Sequence, residues 1–152
     1  MERGCMVMRE AQSIASTTGI KRLLPVANEK RYEHNRAMLK GEPVRLDAKR
    51  RSSVESAIRE TCSIRTWILH AVSVRTNHVH IVVSIGLKKP DTALNAFKAN
   101  ATRQMRQDGT WKPQYSPWVD KGSKRNLWNE RSVAEAIDYV VNGQGDDLPD
   151  FD

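Results

Sequence analysis

From Asp47 onward a helix, two strands, a second helix, a short strand and a third helix follow one another. This is the order of a ferredoxin-like α+β sandwich, an antiparallel sheet with helices on one side. Three observations predict it. Apolar residues recur at three- and four-residue spacing after Asp47 and after Asp91, they alternate in two runs either side of Thr76-Asn77, and 152 residues suit one compact domain. The sandwich also needs a strand ahead of the first helix, and that strand is weak or missing. From Met1 to about Val44 no periodic pattern persists, and Gly, Pro and mixed charge dominate, so the best place for a disguised strand is near Ile20 to Val26. The expected division is an irregular arm over residues 1–44 and a folded domain over residues 45–152.

Asp47 offers an N-cap to the first helix, in which Val54, Ala57, Ile58, Thr61 and Cys62 form the inner stripe as far as about Arg65. Trp67 to Arg75 reads as a strand, Ile68, Val72 and Val74 alternating with Leu69, Ala71 and Ser73. A tight turn at Thr76-Asn77 returns the chain as His78 to Ile85, so the two strands pair as an antiparallel hairpin. Gly86 to Pro90 ends it. Asp91 then caps a helix to about Arg106, with Leu94, Phe97, Ala101 and Met105 inward and Asp108-Gly109 as the stop. Thr110 to Trp128 is a loop rich in Trp, Pro, Gly and Lys that feeds a short strand near Lys124 to Trp128. The last helix starts near Asn129 or at the Ser132-to-Glu135 capping box. It turns Val133, Ile137, Val140 and Val141 inward and stops at Asn142-Gly143, ahead of an acidic tail.

Composition narrows the function. Hydrophobic residues make up 39% and charged residues 28%, which suits a globular domain, and no apolar run approaches membrane-spanning length. Twenty-five Lys and Arg against eighteen Asp and Glu leave a net charge of +7, whose natural partner is a polyanion, nucleic acid before membrane. Cys5 and Cys62 form no CxxC pair, which excludes cysteine-bound structural zinc and fits a reducing compartment. Charges at Arg9, Glu10 and Lys21 interrupt any secretory apolar core, so a cytoplasmic location is expected.

The chemistry sits in the second strand. Alternate strand residues share a face, so His78 and His80 project together while Val79, Ile81 and Val83 turn to the core. Neighbours on one strand face stand about 7 Å apart, a gap that two imidazoles can close around one ion. His34 and His70 have no such partner in the pattern. Trp111, Trp118 and Trp128 lie among Lys112, Lys121, Lys124 and Arg125, a mixture that offers base stacking and phosphate neutralisation, although at least two of these tryptophans are expected to close the core. Lys98, Arg103, Lys124 and Arg125 are the candidate phosphate contacts.

The run Asn77-His78-Val79-His80-Ile81-Val82-Val83 resembles the signature of the HUH nucleases, specifically the single-tyrosine transposases of insertion sequences and the REP-associated tyrosine transposases. The likeness extends over roughly residues 45 to 150. It takes in His70-Ala71-Val72-Ser73-Val74-Arg75-Thr76, the Leu94 to Met105 helix with Lys98, Gly122-Ser123-Lys124-Arg125 and Ala136-Ile137-Asp138-Tyr139-Val140-Val141. The resemblance implies that His78 and His80 bind a divalent ion, Mg²⁺ or Mn²⁺, and that Tyr139 on a C-terminal tyrosine helix attacks the scissile phosphate of single-stranded DNA. Two imidazoles favour Mn²⁺ and cellular abundance favours Mg²⁺. No organic cofactor is implied. The third ligand in such proteins is commonly an Asn or Gln four residues after the tyrosine. Here that position is Gly143, flanked by Asn142 and Gln144, of which the longer Gln144 is favoured. Tyr139 itself lies on the flank of the apolar stripe, with Ser132, Glu135 and Ala136.

The pairing of tyrosine with metal has a physical reason. A phenol with a pKa of about 10 is a poor nucleophile at neutral pH, and a phosphodiester anion repels incoming oxyanions. A bound cation withdraws charge from the phosphate and fixes it for in-line attack. The resemblance further implies hairpins or palindromic repeats as the DNA partner and a homodimer as the working unit. The expected activity is single-strand cleavage and strand transfer through a 5′-phosphotyrosine. Its rival is a catalytically inactive or domesticated hairpin-binding protein. A zinc metallohydrolase lacks support, since the usual barrel needs about 250 residues and no further His or acidic cluster completes a site.

Overall fold

The strand that the sequence hides is Gly4–Ala11 (β1), and it takes an inner place in the sheet. The structure, a computed structural model, describes residues 4–11, 44–120 and 122–143; Ile20 to Val26 lie outside them. Residues 4–11 thus belong to the sheet and not to an irregular arm. Met, Arg, Glu and Ala are helix formers, and Val7 is the one β-branched residue of the eight, so local propensity gave no strand signal. Tertiary pairing overrides it. Along one edge β1 runs antiparallel to His78–Gly86 (β3), with Val7 opposite Val82 and Arg9 opposite His80. Along the other it pairs with Ser123–Leu127 (β4), with Val7 opposite Arg125 and Arg9 opposite Ser123.

Ile68–Val74 (β2) completes the sheet, giving the order β2-β3-β1-β4 with every pairing antiparallel. The β2–β3 hairpin closes at Thr76-Asn77, where the Arg75 amide donates to the His78 carbonyl at 2.8 Å. A bulge interrupts β2 between Leu69 and Ala71, and its extra residue, His70, is held through Nε2 to Ser84 Oγ at 2.8 Å. One extra residue reverses the alternation beyond it. Leu69, Val72 and Val74 therefore share the core face, whereas Ile68, grouped with Val72 and Val74 by the alternation, is 49% exposed.

Among the described residues, three helices flank the sheet. Ala48–Ile64 (α1) starts where expected, Asp47 Oδ1 accepting from the Arg50 amide at 2.8 Å, a cap that contributes about 1 kcal/mol. Pro90–Gln107 (α2) is capped at Lys89 and not at Asp91, with no side-chain hydrogen bond at the cap. The reason is Pro90, whose fixed φ and missing N–H suit the first helical position and draw the boundary back by two residues. Glu130–Asn142 (α3) takes the first of the two expected starts, Asn129 accepting from the Ser132 amide at 2.8 Å.

α1 and α2 pack on one face of the sheet, around Val54, Ile58, Leu94, Phe97 and Met105 with Val79, Ile81, Val83 and Ile85 from β3. Ser53 on α1 bonds Asp108, the α2 C-cap, at 2.6 Å and ties the pair together. Trp111 is buried in this core and Trp118 packs against it, which leaves Trp128 exposed. α3 lies across the other face. It covers Ala71, Val82 and Leu127 with Val140, and Val133, Ala136 and Ile137 support the contact. Val141, expected inward, is exposed, so the stripe stops at Val140.

Candidate active site

The strand pleat decides which groups meet. Val79, Ile81 and Val83 enter the α1/α2 core, so His78, His80 and Val82 must face α3. The rings of His78 and His80 stand 4.8 Å apart between centroids, tilted by 54°. Next along the strand, Val82 is fully buried under Val140, and this contact pins the middle of α3 to the sheet. One residue before Val140 on the same helix, Tyr139 brings its ring to 5.7 Å from that of His80. His80 is 2% exposed and Tyr139 52%, so the imidazole is walled in while the phenol borders solvent. All three side chains belong to one chain.

Asn77 orients the outer histidine. His78 Nδ1 lies 2.7 Å from Asn77 Oδ1, an oxygen that can only accept, so Nδ1 is the donor of this bond. A ring nitrogen fixed this way is the usual companion of a metal-ligating imidazole. Rings 4.8 Å apart between centroids on one strand face are close enough to share one ion, and neutral imidazoles are a donor type that divalent cations accept, so the pair fits as part of a donor set. Among the described residues no third histidine, cysteine or carboxylate joins the pair. Asn142 is exposed and donates to Asp138 at 2.8 Å, and Gln144 lies outside the described residues.

The basic candidates separate by face. On β4, Leu127 is buried against α3, so Arg125, two residues earlier, shares the face of the histidines and is exposed. Two strand spacings, about 10 Å, separate its strand from β3. Lys124 points the other way and pairs with Asp91 at the start of α2. Lys98 is half-buried on the α1/α2 face, where Nζ donates to the Val119 carbonyl at 2.6 Å and secures the Trp118 loop. Arg103 lies exposed on α2, across the sheet from the tyrosine. The hollow beneath Trp118, lined by Ile58, Ile81, Phe97 and Ala101, is also on that far face and is almost wholly apolar.

A family model described as IS200-like transposase matches residues 33–140. The chain belongs to the IS200-like transposase family. Among solved structures it is similar to a REP-associated tyrosine transposase bound to a REP hairpin, with a TM-score of 0.57 and 11% sequence identity, covering 92% of this chain and 66% of that one. The likeness shows a shared fold, and this chain spans just under two thirds of that protein's length. No curated protein matches. In this IS200-like chain, Asn77 is the contributor that spacing alone did not single out. Asn77 was legible as the residue before the histidine motif, and its bond to His78 is the added information.

Proposed function

We propose that this IS200-like family member cleaves single-stranded DNA beside a hairpin or palindromic repeat and transfers the cut strand through Tyr139. The approach of the Tyr139 ring to His80, 5.7 Å within one chain, is the observation that carries the reading. A phenol and two imidazoles on one sheet face can address the same phosphate. The Tyr139 oxygen bonds to phosphorus, the P–O3′ bond breaks, the phenol gives up its proton and the departing 3′ oxygen takes one up. The products are a 5′-phosphotyrosine and a free 3′-hydroxyl. Attack by another 3′-hydroxyl on that linkage reverses the step with a new strand and needs no nucleotide cofactor.

His78 and His80 would hold the divalent ion, with Gln144 as the third donor. When bound, Mg²⁺ or Mn²⁺ supplies charge withdrawal from a non-bridging phosphate oxygen. Asn77 keeps His78 in the ligating tautomer. Arg125, exposed on the same face, neutralises the neighbouring backbone phosphate. Tyr139 works on the site of its own chain, whether or not two copies associate.

A hairpin-binding protein without cleavage is the second reading, favoured by Gly143, which offers no side chain at the position four after the tyrosine. A labelled hairpin oligonucleotide with a single-stranded flank, incubated with the protein and Mn²⁺, separates the two. Strand transfer predicts a denaturation-resistant protein–DNA adduct. Binding with no adduct under any metal condition would leave the second reading.

A further inference from the structure

We infer that Gly143 is a positioning residue for the Tyr139 hydroxyl, because it leaves empty the space against which the phenol ring folds toward His80. The inference rests on the reading of Tyr139 as nucleophile. Gly143 closes α3, its N–H donating to the Tyr139 carbonyl at 2.9 Å, so it sits one turn after Tyr139 on the same side of the helix. Its φ of −92° and ψ of 5° are open to any residue, and backbone conformation therefore does not require glycine here. Space does. A Cβ on residue 143 would lie 2.8 Å from Tyr139 Cδ2 and 2.8 Å from the Tyr139 carbonyl oxygen. Cδ2 is near the root of a rigid ring and the carbonyl oxygen belongs to the helix backbone, so a Cβ here requires the ring to turn about its Cα–Cβ bond and the last helical turn to shift as well.

His80, whose ring centroid stands 5.7 Å from that of Tyr139, is buried in β3 and has little room to yield. Gly143 and His80 are thus both neighbours that bear on the direction of the phenol. A rotation that relieves the clash near the root displaces the hydroxyl most, since it is the atom farthest from the axis. Displacement of a reacting atom by about 1 Å costs on the order of 10²-fold in rate. A side chain at residue 143 therefore conflicts with the present placement of the Tyr139 ring and of the last helical turn. A glutamine introduced there would act as an obstruction and not as a restored metal ligand.

The test uses the full chain with Gly143→Ala and Gly143→Gln. The first readout is the NOE between the Tyr139 and His80 ring protons, and the second is the single-turnover rate of adduct formation on the labelled hairpin with Mn²⁺. Both variants should lose the NOE and slow the adduct about 10²-fold, with affinity for the oligonucleotide unchanged. The NOE and rate surviving in Gly143→Ala, or a faster reaction in Gly143→Gln, would overturn the inference. Melting temperatures supply a readout that does not depend on catalysis: the loss caused by Gly143→Ala should shrink when Tyr139→Ala removes the ring. An equal loss in both backgrounds contradicts a ring clash. If the wild-type chain forms no adduct, the nucleophile reading fails, and the NOE and the melting cycle still decide whether Gly143 sets the ring.

Discussion

Among the described residues, sixteen buried side chains join into one core on the sheet face covered by α1 and α2, against four on the face covered by α3. Among the same residues, the first face is covered by two helices of 17 and 18 residues, the second by one of 13. The difference teaches where stability and chemistry reside. Apolar burial at about 25 cal/mol per Å² must come mostly from the first face, which frees the second to spend positions on His78, His80 and Tyr139. The small cluster around Val140 does one thing: it fixes the tyrosine helix over the histidine strand.

The largest expected effect tests that division. Phe97→Ala should cost about 3–5 kcal/mol of unfolding free energy by urea titration, and Val140→Ala about 1–3, with the latter also slowing adduct formation because α3 loses its anchor. Equal destabilisation by the two would erase the contrast between faces. Next in size, Asn77→Ala should weaken Mn²⁺ binding about 10–100-fold by calorimetry, with little change in melting temperature. Unaltered affinity would mean that the Asn77–His78 bond does not prepare the ligand.

The basic residues sharpen the same comparison. Arg125→Ala should lower single-stranded DNA affinity and reduce the slope of log K against log salt by about 0.7, whereas Arg103→Ala, across the sheet, should leave the slope alone. A change in the slope with Arg103→Ala alone would put the DNA on the α2 side. The smallest effect belongs to the core face. Burial pushes the Cys62 thiol from 9.0 up to about 11, against a smaller opposing pull from Arg59. Since the unfolded chain releases this proton first, the stabilisation is complete below pH 9 and is lost as pH rises towards 11. In a Cys5→Ser background, alkylation at pH 8 should therefore be slow in the native protein and fast in denaturant. Fast alkylation of the native protein would contradict the burial.

Much of this was legible in the residues, for identifiable reasons. α1, the β2–β3 hairpin and α3 announce themselves because period, cap and turn agree at each: Asp47, Thr76-Asn77 and Asn129 mark the boundaries found. The histidine pair and the tyrosine were legible as residues, since strand alternation puts His78 and His80 on one face whatever the tertiary details. Other features were not local. β1 is a strand because β3 and β4 pair with it, and its Met-, Arg- and Glu-containing sequence gives no sign of that. The bulge at His70 reverses Ile68, and no periodicity analysis registers one inserted residue. Lys98 and Lys124 looked like phosphate contacts because charge carries no label for face, yet one binds the Val119 carbonyl and the other Asp91. Arg125 keeps the candidate role through the register of β4 alone.

The most direct test of the central claim is to digest the trapped protein–DNA adduct and locate the modified residue by mass spectrometry. A nucleotide remnant is expected on the phenolic oxygen of Tyr139, and no adduct from Tyr139→Phe, whose fold should be intact because the side chain is half exposed. An adduct on Tyr32 or Tyr115, or one that persists in Tyr139→Phe, would contradict that claim.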